Sequence, residues 1–156
     1  MDIGDQVGDF ELLDQAGAPR RLSTLLANGP VVLFFYPAAS SAVCTKEACH
    51  FRDLGAEFAE VGAQPVGISP DAVGKQERFA AEHSFGFPLL SDTDGTVAKE
   101  FGVWRRLVPI HTKRATFVIG QDSRVLAVVR SELGAERHAD DALRALKDRG
   151  SRPVSG

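Results

Sequence analysis

The residues best suited to chemistry in this sequence are its two cysteines, Cys44 and Cys49. They lie in the segment FYPAASSAVCTKEAC, residues 35–49, where an apolar strand pattern ends in a proline and a hydroxyl-rich turn leads into a helical pattern. If Ser40 or Ser41 caps that helix, Cys44 lies in its first turn, where unpaired backbone amides and the positive end of the helix dipole favour an anion. Because the thiolate is the nucleophilic form of cysteine, Cys44 is the candidate reactive thiol.

The spacing of the two cysteines restricts what they can do together. Residues five apart on an intact helix lie about 140° apart around the axis and about 7.5 Å apart along it, which separates their Cα atoms by roughly 9 Å. A disulfide tolerates a Cα separation of no more than about 7 Å. Joining Cys44 to Cys49 therefore requires at least one turn of the helix to unwind. We predict a switch whose oxidised form is locally remodelled.

Two other interpretations of the thiols stay open at this point. Both cysteines could be small residues of the buried core. Alternatively, Cys44, Cys49 and His50 could bind a metal ion together with a distant histidine. The candidates for that fourth ligand are His83, His111 and His138. An iron–sulfur cluster needs more thiols than the chain has, and a dithiol oxidoreductase of the thioredoxin type has two residues between its cysteines rather than four.

The apolar pattern predicts alternating strands and helices that would position these residues. Residues 31–36 (VVLFFY) form a continuous apolar run, typical of a central strand buried on both faces. Residues 41–62 place apolar side chains at helical spacing between charged ones, which predicts one long amphipathic helix. A second strand at 65–69 is followed by residues 69–71 (SPD), which offer turn and cap residues before a helix that ends near residue 83.

The remaining sequence predicts shorter elements. They are a strand at 87–90, a helix at 93–101, a hairpin that joins 115–119 to 125–129, and a final helix at 136–148. Two strand–helix units followed by a hairpin and a helix indicate an α/β fold with a central mixed sheet flanked by helices. We expect a single domain over residues 1–150 and a flexible tail at 151–156.

Composition and charge narrow the classes of function. The chain has 156 residues, of which 44% are hydrophobic and 25% are charged, which suits one globular domain. The net charge is −3 and the basic residues are scattered, so nothing indicates binding to nucleic acid or to a membrane surface. The N-terminus lacks a signal-peptide pattern and no apolar run reaches membrane-spanning length. We expect a cytoplasmic protein with reduced cysteines.

Several segments of the chain match the motifs of a known family. They are residues 35–37 (FYP) with Ser41, residues 44–49 (CTKEAC), residues 51–53 (FRD) and, as weaker matches, residues 8–12 (GDFEL) and 114–119 (RATFVI). In these segments the chain resembles the peroxiredoxin Q group, also called bacterioferritin comigratory protein. The resemblance covers about residues 3–146 and implies a thioredoxin-like fold.

The resemblance implies a thiol peroxidase that reduces hydrogen peroxide and organic hydroperoxides. In such enzymes a peroxidatic cysteine, matched by Cys44, forms a sulfenic acid that condenses with a resolving cysteine, matched by Cys49, into an intramolecular disulfide. The family's active-site proline, hydroxyl residue and arginine match Pro37, Ser41 and Arg114. Arg114 would hold a thiolate and polarise a peroxide oxygen, Ser41 would hydrogen-bond beside the sulfur, and Pro37 would exclude water.

The resemblance also implies thioredoxin or a similar dithiol as reductant, no cofactor, and a monomer or weak dimer. Two alternatives are a redox sensor that uses the same switch and a thioredoxin-fold binding protein without peroxidase activity. The chain has Ser41-Ala42-Val43 where the family usually has Thr-Pro-Gly, and we expect the bulkier Val43 to make the peroxidase slower or more selective. Glu47 matches a family position. A favourable interaction between a carboxylate in the N-terminal turn and the helix dipole would explain a glutamate at this position equally well.

Overall fold

A computed structural model describes residues 1–104, 112–130 and 134–150, and the described strands form one mixed sheet. The strands are β1 (Glu11–Leu13), β2 (Pro19–Arg21), β3 (Val31–Phe35), β4 (Gln64–Ser69), β5 (Leu89–Ser91), β6 (Ala115–Ile119) and β7 (Val125–Arg130). Their order across the sheet is β2-β1-β5-β4-β3-β6-β7. The pairs β3–β4 and β4–β5 are parallel, and the other neighbouring pairs are antiparallel. The mixed central sheet expected from the sequence is confirmed.

Helices cover both faces of this sheet. They are α1 (Leu22–Leu26), α2 (Ala42–Asp53), α3 (Gly55–Glu60), α4 (Val73–His83), α5 (Thr96–Glu100) and α6 (Ala135–Gly150). Helices α1 and α5 pack on one face, while α2, α3, α4 and α6 pack on the other. Successive side chains of β3 alternate between the two faces, and all of them are fully buried. The predicted central strand is therefore confirmed.

Stacked aromatic rings hold α2 against the sheet. The ring of Phe51 in α2 stacks on that of Phe34 in β3, with centroids 4.2 Å apart and ring planes 11° apart. Phe51 also stacks on Phe58 of α3 at 5.7 Å. Aromatic pairs of this kind contribute about 0.5–1.5 kcal/mol beyond their burial. The C-terminal part of α2 is thus anchored in the core, beyond the segment that carries the two cysteines.

The prediction of one helix over residues 41–62 is wrong, because the chain breaks the helix at Leu54. Leu54 has φ −93° and ψ 13°, outside the α-helical region, and Gly55, a poor helix former, begins α3. Phe51 and Phe58 are buried on the same side of the sheet on either side of the break. The hydrophobic pattern therefore continues where the backbone does not.

The other elements agree with the sequence to within a few residues at their ends. The hairpin of β6 and β7 and the final helix are confirmed, and the short helix before residue 101 is shorter than expected. The sequence analysis missed β1, β2 and α1, since elements of three to five residues are too short for a periodic pattern. No helix in the described part of the chain is both long and apolar enough to cross a membrane. The tail expected at 151–156 lies outside the described residues.

Candidate active site

Cys44 lies in the first turn of α2, directly after the loop that leaves β3. In that loop, residues 36–41, Ser40 adopts the left-handed conformation with φ +66°. Ser41 is the N-cap of α2, with φ −69° and ψ 154°, and its Oγ accepts a hydrogen bond from the backbone N–H of Cys44 at 3.3 Å. The cap at Ser41 and the first-turn position of Cys44 are therefore as predicted.

Arg114 bridges Cys44 and Glu47 with two separate nitrogen atoms. Its Nη2 donates to Cys44 Sγ at 3.1 Å, and its Nη1 donates to Glu47 Oε2 at 2.8 Å. All three residues are buried, with exposed fractions of 5% for Arg114, 1% for Cys44 and 0% for Glu47. Arg114 precedes β6, which pairs with β3, and this pairing brings the arginine beside the start of α2.

The Arg114 guanidinium of this cluster is held in its charged form. Burial would lower the pKa of the Arg114 guanidinium, but the Glu47 carboxylate and the Cys44 sulfur act more strongly in the opposite direction, so its pKa lies above the ordinary value. Arg114 is therefore a permanent cation. Its Nη2 places this positive charge in contact with the Cys44 sulfur, in the first turn of the helix.

Glu47 belongs to this cluster rather than to the helix end. The first turn of α2 contains no acidic residue, so the explanation of Glu47 as an anion that favours the helix dipole is wrong. Its side chain is fully buried and paired with Arg114. A carboxylate is expensive to bury unless it is paired and hydrogen-bonded, and here Arg114 supplies such a partner.

Cys49 lies farther along α2 and is half-buried, and both cysteines are free thiols. The helix is continuous from Ala42 to Asp53, so helix geometry keeps the two Cα atoms roughly 9 Å apart, too far for a disulfide. Next to Cys49, His50 Nε2 lies 2.7 Å from Asp140 Oδ1 and links α2 to α6. Disulfide formation therefore requires part of α2 to unwind, as the sequence predicted.

Pro37 lies in the loop before α2, and Val43 lies in the first turn of α2. Pro37 is half-buried in the same loop as Ser41. Val43 is 38% exposed and, together with Lys46 and residues 134–137, lines an open cavity of about 360 Å³ between the starts of α2 and α6. Among the residues that the structure describes, no three His, Cys, Asp or Glu side chains are grouped so that they could hold a metal ion. His111 lies outside those residues.

The sequence analysis missed a partly buried polar contact to this loop. Asp71 was expected to serve the turn or cap before α4, but Ala72 is the N-cap of α4 and makes no side-chain cap bond. Instead, Asp71 Oδ2 accepts a hydrogen bond from the backbone N–H of Ala39 at 2.6 Å. The two residues are 32 positions apart, and no sequence pattern connects them.

Comparison with known proteins agrees with this architecture. The family model of the AhpC/TSA family matches residues 3–128. Peroxidoxin BcpB of Mycobacterium tuberculosis superposes with a TM-score of 0.92 at 59% identity, covering 98% of this chain and 99% of that one. The bacterioferritin comigratory protein of Xanthomonas campestris superposes with a TM-score of 0.83 at 29% identity, covering 91% and 92%. The chloroplastic peroxiredoxin Q of Sedum lineare is 39% identical over 138 residues, which is 88% of this chain and 74% of that protein.

The fold and the reactive-cysteine site define a thiol-dependent peroxidase on a thioredoxin-like scaffold. The chain belongs to the AhpC/TSA family and, within it, to the peroxiredoxin Q or bacterioferritin comigratory protein group. The fold and the class of enzyme that the sequence resemblance implied are therefore confirmed. Enzymes of this family act on peroxides with the help of a thiol reductant.

Proposed function

We propose that Cys44 is the peroxidatic cysteine and Cys49 the resolving cysteine of an enzyme that reduces hydrogen peroxide and organic hydroperoxides. The observation that carries this assignment is the buried contact of 3.1 Å between Arg114 Nη2 and Cys44 Sγ. It gives Cys44 a fixed cation and a helix start, which together favour the nucleophilic thiolate. Cys49, in a later turn of the same helix, is placed to respond after the first oxidation.

In the first step the Cys44 thiolate attacks one oxygen of the peroxide. A sulfur–oxygen bond forms as the oxygen–oxygen bond breaks, and the sulfur loses two electrons. The second oxygen leaves as hydroxide or alkoxide and takes up the proton that the Cys44 thiol released on ionising, which gives water or an alcohol. Arg114 can stabilise the charge that moves from the sulfur to the oxygens. The Ser41 hydroxyl oxygen accepts a hydrogen bond from the backbone N–H of Cys44. The hydroxyl proton therefore stays available to donate a hydrogen bond to a peroxide oxygen. Pro37 limits the access of water to this loop.

In the second step the Cys49 thiol attacks the sulfenic sulfur. A sulfur–sulfur bond forms, the sulfur–oxygen bond breaks, and the oxygen leaves as water with the proton of the thiol. The sulfenic acid is uncharged, so its attraction to Arg114 is weaker than that of the thiolate. Oxidation of Cys44 therefore loosens one contact that holds the start of α2, which favours the unwinding that the disulfide requires.

Thioredoxin or a similar dithiol is the reductant that we propose, since it supplies the two electrons and two protons that restore both thiols. We also propose a cytoplasmic location, because a cycle through free thiols needs a reducing compartment. The exposed large apolar residues in the described part of the chain, Ile3, Leu13 and Val43, belong to separate segments. A monomer or weak dimer of one domain over residues 1–150 fits this surface.

The assignment is tested by counting free thiols after the reduced protein meets one equivalent of hydrogen peroxide. We expect the unmodified protein to lose both thiols rapidly, Cys44→Ser to keep its remaining thiol, and Cys49→Ser to stop at a sulfenic acid. Thiols that persist in the unmodified protein would contradict the proposal. Continued peroxide consumption with thioredoxin, its reductase and NADPH separates a peroxidase from a sensor that reacts once.

A further inference from the structure

A chain of hydrogen bonds, buried at Tyr36 and Gln76 and partly buried at Asp71, ends at the loop that precedes Cys44. The Tyr36 hydroxyl donates to Gln76 Oε1 at 2.6 Å, and Gln76 Nε2 donates to Ser69 Oγ at 2.8 Å. Ser69 Oγ donates a hydrogen bond to Asp71 Oδ2 at 2.8 Å. Asp71 Oδ2 also accepts a hydrogen bond from the backbone N–H of Ala39 at 2.6 Å. The Asp71 side chain is only 9% exposed. One carboxylate oxygen therefore connects this network to the backbone of the loop.

The rest of the network keeps Asp71 in this position. Burial raises the pKa of the Tyr36 hydroxyl far above its ordinary value, so Tyr36 stays protonated and donates to Gln76. This bond orients the Gln76 amide, whose NH₂ group then donates to Ser69 and to the carbonyl of Leu90. Ser69 in turn directs its own proton to Asp71. Lys75 Nζ lies 3.4 Å from the other Asp71 oxygen.

The loop that Asp71 holds is strained and short. Ser40 follows Ala39 with φ +66°, a conformation that costs a residue other than glycine about 1 kcal/mol or more and that persists only where its surroundings enforce it. Ser41, the cap of α2, comes next. The contact of Asp71 with Ala39 thus lies immediately before the turn that sets where α2 begins and where Cys44 points.

We propose that Asp71 is a positioning residue that latches the loop before Cys44 in the peroxide-reactive conformation and that this latch must release before the disulfide can form. The inference rests on the proposed roles of Cys44 and Cys49. For Cys49 to reach Cys44, the first turns of α2 must unwind, and the preceding loop moves with them. The hydrogen bond of Ala39 to a carboxylate opposes that movement.

The latch acts in opposite directions on the two steps of the reaction. While closed, it preserves the helix start and the contact of Cys44 with Arg114, which speeds the attack on peroxide. Because the same contact resists unwinding, it slows the attack of Cys49 on the sulfenic acid. A hydrogen bond to a charged acceptor corresponds to a change of about tenfold or more in an equilibrium constant. Because one equilibrium between closed and open forms governs both steps, loss of the latch should slow the first step and accelerate the second by two factors whose product is about tenfold.

The experiment compares both rates, by rapid mixing with hydrogen peroxide, in the unmodified protein and in Asp71→Ala, Asp71→Asn and Asp14→Asn. Asp14 is a matched control, since it is also a buried carboxylate that accepts from backbone amides, those of Ala16 and Ala18, but it lies at the far edge of the sheet. We expect Asp71→Ala to oxidise more slowly and to close the disulfide faster, with the two factors multiplying to about tenfold. Asp71→Asn keeps an acceptor oxygen without the charge and should lie between. Asp14→Asn should change neither rate.

Two further readouts separate a latch from a loss of stability. Amide hydrogen exchange in residues 42–49 should be faster in both Asp71 variants than in Asp14→Asn. Alkylation of Cys44 by iodoacetamide, followed in a Cys49→Ser background, should slow in the Asp71 variants, and this readout does not depend on peroxide chemistry. Equal slowing of both steps in Asp71→Asn, or no change in exchange, would overturn the latch. Failure of the unmodified protein to form a disulfide would overturn the proposed function instead.

Discussion

Replacement of Arg114 tests whether one guanidinium serves both the sulfur and Glu47. In Arg114→Lys the positive charge remains, but a single Nζ cannot reproduce two contacts made by separate nitrogens, at 2.8 Å to Glu47 and 3.1 Å to Cys44. One hydrogen bond to a charged group corresponds to about 1.5–3 kcal/mol. If that bond is made in the transition state, its loss lowers the rate about 10- to 150-fold. We expect the second-order rate constant with hydrogen peroxide to fall within this range.

Arg114→Met removes the charge and has a second consequence for stability. It removes one partner of the buried ion pair between Arg114 and Glu47, and breaking a buried ion pair costs about 3–5 kcal/mol. The rate should fall about 10²- to 10³-fold, the usual effect of removing a preorganised donor to developing charge. Adding Glu47→Gln should recover much of the stability, because the variant then no longer buries the carboxylate that was paired with Arg114. It should not recover the rate.

The assay uses a Cys49→Ser background, so that only the first oxidation is followed, with stopped-flow rates and urea unfolding measured on the same samples. Recovery of the rate together with the stability in the double variant would show that Arg114 acts only through folding. A loss of less than about threefold in Arg114→Lys would refute the argument from two directed donors, since it falls well below one charged hydrogen bond.

Three other outcomes follow from the structure. If the Val43 side chain crowds the approach to Cys44, Val43→Gly and Val43→Ala should both raise the oxidation rate. A gain in Val43→Gly alone would assign the effect to backbone freedom. No gain in either variant would refute crowding. His50→Ala should accelerate disulfide closure by no more than about threefold, because its contact with Asp140 is partly exposed; a larger effect in the same rapid-mixing assay would make that contact a principal restraint. The pKa of Asp14 lies below its ordinary value of 3.8, since bonds from Arg20 and from backbone amides outweigh burial, which acts to raise it. The Asp14 carboxylate stabilises the fold fully above pH 3.8, and this stabilisation is lost as the pH falls through the folded-state pKa. In urea unfolding, the unmodified protein should therefore lose its higher free energy of unfolding relative to Asp14→Asn below about pH 4. A difference that stays constant with pH would contradict this.

Features that depend on neighbouring residues could be predicted from the sequence. The cap at Ser41 and the first-turn position of Cys44 are local, because a cap and its helix lie within a few residues of each other. The burial of β3 followed from its unbroken apolar run. The break at Leu54 could not be predicted in the same way, since Phe51 and Phe58 maintain the helical pattern across it.

Contacts between distant parts of the chain could not be predicted from patterns of neighbouring residues. The resemblance named Arg114, but its contact with Glu47 spans 67 positions and was not anticipated. The hydrogen bond between Asp71 and Ala39 spans 32 positions and joins two loops in which the sequence predicted only turns. Each contact exists because the sheet places β3 between β4 and β6, and strand order is a property of the whole fold.

The division between the two sources of information therefore follows the range of the forces involved. Helix geometry and capping act over one or two turns, so the sequence alone singled out Cys44 as the candidate reactive thiol and predicted that α2 must unwind before Cys44 and Cys49 can join. The positive charge beside the sulfur comes from Arg114, 70 positions along the chain. The arrangement of Arg114 between Cys44 and Glu47, and of Asp71 against the loop before Cys44, emerged only when the packed sheet brought these residues together.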